Sequence, residues 1–188
     1  MTSVFIVYHS ATGTTAKLAE AIGEGASEVG STSVYGITGE EIISGRFQNE
    51  TIWAKLDQAD AIIFGSPTFM GGPSAQFKAF ADASGDRWSD RKWADKVAAG
   101  FTIGSNLNGD QCNTLIYFSV LAAQHGMIWC GLDIPGGYDS LGRNRLGTQM
   151  GVTAQSADGQ LSEIDLVTAR YLGKRVAQIA KRLASAHE

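Results

Sequence analysis

Apolar positions along this chain alternate between two rhythms. Short runs of β-branched and aromatic residues are followed by longer stretches with apolar residues at three- and four-residue spacing. Val4 to Tyr8 is the first run and reads as a buried strand, and Leu18, Ala19 and Ile22 then mark one face of a helix. Ser31 to Ile37 reads as a second strand, carrying β-branched Thr32, Val34 and Ile37. A polar segment from Thr38 to Glu50 precedes a short helix over Thr51 to Gln58. Asp60 to Gly65 is a third strand whose unbroken apolar centre suits a sheet covered on both faces. Ser74 to Ala83 follows as a helix, with Pro73 suited to its first turn. Lys96 to Ile103 is a fourth strand, and Asp110 to His125 a helix closed by Gly126. Met127 to Cys130 begins a fifth strand. A glycine-rich segment, Gly131 to Gly159, holds a further strand fragment at Met150 to Ala154, and Ser162 caps a last helix reaching Ala186.

Strands alternating with helices predict an α/β fold: a doubly wound, five-stranded parallel sheet in three layers, α/β/α. No repeat, low-complexity tract or linker interrupts it, so the 188 residues are expected to form one domain. Ligands of such sheets bind outside the carboxyl ends of the strands, where the strand order reverses. The loops after strands one, three and four should therefore converge, and they are the three most unusual loops in the chain.

The first loop carries Ser10, Ala11, Thr12, Gly13, Thr14 and Thr15. A strand, a hydroxyl-rich turn and a helix start in succession make an anion site, because the first helical N–H groups are unpaired and the dipole is positive there. The loop matches neither GxxxxGK[ST] nor GxGxxG, and it holds no Lys or Arg. A cradle of neutral donors suits one terminal phosphate monoester better than a triphosphate with magnesium. FMN carries such a phosphate. An ordinary capped turn would explain one or two of these hydroxyls, not four in six residues.

The loop after the third strand runs Ser66-Pro67-Thr68-Phe69-Met70-Gly71-Gly72-Pro73. Phe69 and Met70 are apolar in an otherwise polar loop, as a wall for a flat ring would be. The alternative is that Phe69 tucks into the core. The loop after the fourth strand, Gly104-Ser105-Asn106-Leu107-Asn108-Gly109, offers amide donors without charge. It can bond the polar edge of a flavin, or it can be a plain Gly/Asn turn.

Composition removes other classes. Hydrophobic content of 44% and charge of 18% are those of an ordinary globular protein. A net charge of −4 without a basic patch argues against nucleic acid as partner. No apolar run approaches the ~20 residues of a membrane helix. A strand begins almost at the N-terminus without a basic leader, so no signal peptide and a cytoplasmic location are expected. Cys112 and Cys130 form no CxxC pair and read as two reduced thiols, and no metal site is expected.

Four stretches carry a family resemblance: HSATGTTAKLAEAI, AIIFGSPTFMGGPSAQFKAFAD, GFTIGSNLNGDQCNTLIYFSVLAAQHGMI and LSEIDLVTARYLGKRVAQIAKRL. Together they resemble the WrbA type of NAD(P)H:quinone oxidoreductase. The resemblance implies a flavodoxin-like fold, FMN as cofactor, NADH or NADPH as electron donor and a quinone as acceptor. It implies residues Ser10 to Thr15 on the phosphate, Pro67, Thr68, Phe69 and Met70 beside the ring, and Ile103, Gly104, Ser105, Asn106, Leu107 and Asn108 along the pyrimidine edge. The chain departs from the family in lacking the Arg of its usual Thr-Arg-Phe-Gly, and Thr12 stands where the family often has an aromatic residue facing the nicotinamide or substrate.

The resemblance also implies a histidine near the ring, here His125, and an aromatic residue at the substrate mouth, here Trp88. His125 ends the helix that leaves the flavin edge at Asp110, a length of roughly 22 Å at 1.5 Å per residue. It therefore cannot reach the flavin of its own chain. Both statements hold if a neighbouring subunit supplies it, as in the family's homotetramers. Apart from the family, His125 reads as a helix-end histidine paired with the dipole, and Trp88 as a loop aromatic packed on its own fold. The leading expectation is two-electron transfer from NAD(P)H to a quinone. The alternative is a flavodoxin-type one-electron carrier without a substrate of its own.

Overall fold

The structure, a computed structural model, describes residues 1–185. The chain opens with β1 (Ser3–His9), α1 (Thr14–Ser27) and β2 (Ser31–Ile37). A 3₁₀ turn at Gly39–Glu41 and a hairpin of β3 (Ile42–Ile43) with β4 (Arg46–Phe47) occupy the polar segment. Next come α2 (Glu50–Gln58), β5 (Ala61–Phe69), β6 (Gly72–Pro73), α3 (Ala75–Ala83) and α4 (Gly85–Ser89). The second half holds β7 (Val97–Gly104), α5 (Gln111–Gln124), β8 (Ile128–Trp129), β9 (Val152–Gln155) and α6 (Glu163–Ser185). Ala186, expected as the end of the last helix, lies outside the described residues.

The main sheet runs β2-β1-β5-β7-β8 with parallel neighbours, and β9 also lies parallel to β7. This is the flavodoxin-like order: the chain crosses from β1 to β2 on one side and then returns past β1 to β5 on the other, which creates the switch point between β1 and β5. The expected fifth strand is split. β8 pairs with the start of β7 (Val97 opposite Ile128) and β9 with its end (Phe101 opposite Val152). The glycine-rich segment between them is an excursion from one strand position.

Two other expectations are corrected. The third strand does not stop at Gly65, because Ser66 and Pro67 stay in register with Thr102 and Ile103. It continues to Phe69 and folds back through a two-residue turn in which Met70 (φ 49°) and Gly71 (φ 78°) are both left-handed, as a type I′ hairpin requires. Pro73 therefore lies in β6, not in the helix, and Ser74 caps α3 by accepting from the Phe77 N–H at 3.2 Å.

Side chains alternate across the sheet and build a core on each face. Val4, Ile6, Ile63 and Phe101 meet Leu18 and Ile22 of α1 and Leu172 and Val176 of α6. Phe5, Val7 and Phe64 meet Trp53, Phe77, Phe80, Trp93 and Phe118. Trp53 and Trp93 are core residues, and Trp129 is half-buried with its Nε1 donating to the Met150 carbonyl at 3.0 Å. α1 and α6 approach so closely that a Cβ on Gly173 would lie 1.9 Å from the Ile22 carbonyl oxygen.

Candidate active site

The three loops expected to converge do so at the carboxyl edge of the sheet. Gly13 sits at the start of α1 with φ 89°, a left-handed value that costs glycine nothing. Ser10 Oγ accepts from the Gly13 N–H at 3.1 Å and the Ala16 N–H at 3.3 Å, so its oxygen organises the loop while its proton stays free to donate. The first helical bond runs from the Lys17 N–H to the Gly13 carbonyl. The N–H groups of Ala11, Thr12, Thr14 and Thr15 have no acceptor among the described residues. Thr12 and Thr14 place their hydroxyl oxygens 3.4 Å apart, and Ala11, Thr12 and Gly13 are exposed. The loop thus presents neutral donors to an open space.

That space is a cavity of about 320 Å³. Ala11, Thr12, Thr14 and Thr15 form one wall, Pro67, Thr68 and Phe69 a second, and Ile103, Gly104 and Ser105 a third. Phe69 is 49% exposed, so it is not tucked into the core. A second cavity of about 400 Å³ adjoins the first through Thr68, Gly104 and Ser105. Met70, wholly exposed at the hairpin tip, lines this second lobe with Asn106, Leu107 and Asn108. Thr68 Oγ1 lies 2.8 Å from both Thr102 Oγ1 and Thr114 Oγ1, which holds the hairpin against β7 and α5.

Two placements differ from the sequence reading. The Asn108 side-chain amide is committed elsewhere: its Nδ2 donates to the Leu146 carbonyl at 2.9 Å and to Thr148 Oγ1. It anchors the glycine-rich excursion instead of facing the cavity as a donor. A fourth wall, Ser156, Ala157 and Gly159, was missed. Its signal was the strand fragment at Met150 to Ala154, whose carboxyl end in a parallel sheet must reach the same rim.

His125 and Trp88 lie away from these walls. α5 carries His125 to the amino edge of the sheet, where the neighbouring Gly126 carbonyl accepts from the Asp95 N–H at 3.0 Å. His125 is only 5% exposed; its Nε2 lies 2.9 Å from Ser84 Oγ and its ring 4.3 Å from that of Trp93. Burial pushes its pKa down to about 4, so the imidazole is neutral. It lines neither cavity lobe. Trp88, 53% exposed, sits on α4, one turn beyond Ser84. The fold thus brings the two residues near each other while separating them from the cavity.

Residues 3–129 match the family model described as NADPH-dependent FMN reductase. The chain belongs to that family. Among its relatives is the flavodoxin FldP of Pseudomonas aeruginosa, 40% identical over 97% of this chain and 99% of that one. A protein of Archaeoglobus fulgidus named NAD(P)H dehydrogenase (quinone) is 34% identical over 97% of this chain and all of that one. Among solved structures, the flavodoxin, WrbA-like protein from Agrobacterium tumefaciens superposes with a TM-score of 0.77 at 44% identity, covering 97% and 99% of the two chains.

The site residues fit the cofactor of this family. Of six buried side-chain polar atoms without a partner among the described residues, four lie at the carboxyl edge: His9 Nδ1, Asn108 Oδ1, Gln111 Oε1 and Ser156 Oγ. Such groups cost free energy unless something completes them. Neutral donors stand where a phosphate would bind, an aromatic wall where a ring would lie, and free N–H groups along the ring's edge.

Proposed function

We propose that this chain is an FMN-dependent NAD(P)H:quinone oxidoreductase. One observation carries the reading: the cavity beside Phe69, about 320 Å³, adjoins a second of about 400 Å³ beside Met70, so a ring whose edge meets Ser105 to Leu107 still has open space next to it. A carrier that only hands on electrons needs an exposed ring edge, whereas an enzyme needs room for a nicotinamide and then a quinone. FMN, when bound, supplies the two-electron chemistry. The chain's residues bind and orient. Ser10 to Thr15 hold the phosphate through backbone N–H and hydroxyl groups. Pro67, Thr68 and Phe69 flank the ring, and Ile103 to Leu107 line its pyrimidine edge with Asn108 bracing that loop from behind. Thr12 and Met70 stand at the mouth.

A homotetramer is part of the proposal. Ile116 and Val120 are exposed on the outer face of α5, and Ile128 and Trp88 are exposed at its far end. A neighbouring subunit covering this face would bring Trp88 to another chain's cavity mouth. His125 then acts at most as a hydrogen-bond partner of the quinone, because its present bond to Ser84 must yield first. No helix among the described residues is long and apolar enough to cross a membrane. Free Cys112 and Cys130 support a cytoplasmic location.

Purified protein loaded with FMN should oxidise NADH or NADPH steadily only when benzoquinone is present, with ping-pong kinetics. FMN binding without quinone-dependent turnover would instead favour the carrier.

A further inference from the structure

We propose that Gln111 and Gln155 are positioning residues that aim a row of backbone N–H groups at the flavin edge and so favour its reduced form. The proposal rests on the FMN reading above. Three consecutive carbonyls of the edge loop are tied into the protein. The Gly104 oxygen accepts from the Ser156 N–H at 2.9 Å, the Ser105 oxygen from Gln155 Nε2 at 3.0 Å, and the Asn106 oxygen from Gln111 Nε2 at 2.9 Å. The chain has no cis peptide among the described residues. In a trans peptide the N–H points opposite to the preceding carbonyl. The ties therefore turn the N–H groups of Ser105, Asn106 and Leu107 to the other side, and none of them has an acceptor among the described residues.

Two of the three ties come from side chains, which makes them dispensable to the backbone ladder. Gln111 is buried at the first residue of α5, and its Oε1 has no partner. Packing alone would place an apolar residue there, since a buried unpaired amide oxygen is costly. Gly104 accommodates it closely: a Cβ there would stand 2.9 Å from Gln111 Nε2. From Gly104 to Gln111 the only formal charge is Asp110. With no Lys or Arg in the loop, the aligned N–H dipoles are its means of stabilising negative charge, and reduced flavin carries more of that charge on its pyrimidine edge than oxidised flavin does. Releasing either glutamine lets a carbonyl swing toward the ring, with the opposite effect.

The test is the midpoint potential of FMN bound to the whole protein, with the dissociation constant of oxidised FMN measured alongside. Gln155→Ala and Gln111→Met are expected to leave the oxidised constant within about threefold. Each should reduce the preference for reduced over oxidised FMN by about tenfold, which for a two-electron couple is a fall of about 30 mV. Gln155 is not in the core, so its variant decides the matter if the Gln111 variant does not fold. An unchanged potential overturns the proposal, as does equal weakening of both oxidation states, which is what a merely structural role would give. A wild-type protein that takes up no FMN removes the functional reading itself.

Discussion

Ser84 Oγ lies 2.9 Å from Nε2 of His125, and both are buried where the end of α3 meets the end of α5. This contact, with the Trp93 ring against the imidazole, gives His125 a structural duty whatever it does in an assembly.

That duty predicts a pH dependence. Burial holds the folded pKa at about 4, against 6.5 for an ordinary histidine. Below pH 6.5 the unfolded chain takes up a proton that the folded chain refuses. The neutral imidazole thus contributes stability that is fully present above pH 6.5 and is lost as pH falls toward 4. A shift of this size corresponds to at most about 3 kcal/mol. Urea midpoints measured across this window should fall with pH in the wild type and much less in His125→Gln. Equal slopes would show that other groups dominate.

The phosphate loop yields a sharper result. Thr14→Asp sets a carboxylate where a phosphate is expected, and the loop has no cation to offset it. Like charges about 4 Å apart repel by roughly 4 kcal/mol at an effective dielectric of 20, before screening. FMN affinity should fall at least about a hundredfold, while riboflavin, which lacks the phosphate, should bind nearly as before. Flavin fluorescence quenching measures both, and unchanged FMN affinity would count against the loop.

Much of this arrangement was legible because local signals agreed with the tertiary ones. β-branched residues mark Ser31–Ile37 to the residue, and Gly126 (φ 71°) ends α5 where a left-handed cap was expected. The misreadings have one cause: pairing between distant segments is invisible to local pattern. Ser66 and Pro67 look like the start of a turn, yet Thr102 and Ile103 hold them in the sheet. The fifth strand is divided because two separated segments satisfy one edge of β7. Asn108 read as a donor to the ring until Leu146 and Thr148 arrived beside it from the excursion.

Close packing between α1 and α6 predicts where a single methyl group will be felt. A Cβ on Gly173 would fall 1.9 Å from a backbone oxygen, which cannot rotate away as a side chain can. The helices must separate to admit it. Gly173→Ala should cost about 2–3 kcal/mol through overpacking, despite the better helix propensity of alanine. Thermal unfolding of the apo protein reads this directly, and a rise in Tm would show that the helices slide apart freely.

The role proposed for Trp88 can be tested by mixing two defective proteins. Trp88→Ala should leave FMN affinity within about twofold and apo stability nearly unchanged, because the side chain is half exposed on the short α4. It should lower kcat/KM for the quinone by about tenfold, the scale of losing one apolar wall. Thr14→Asp alone should be inactive for want of FMN. If Trp88 serves a neighbouring chain, mixed oligomers of the two variants contain cavities with an intact loop from one chain and an intact Trp88 from the other. Co-refolding them should then restore part of the wild-type turnover. Activity no greater than the sum of the separate variants would place Trp88 with its own chain and remove the shared mouth from the mechanism.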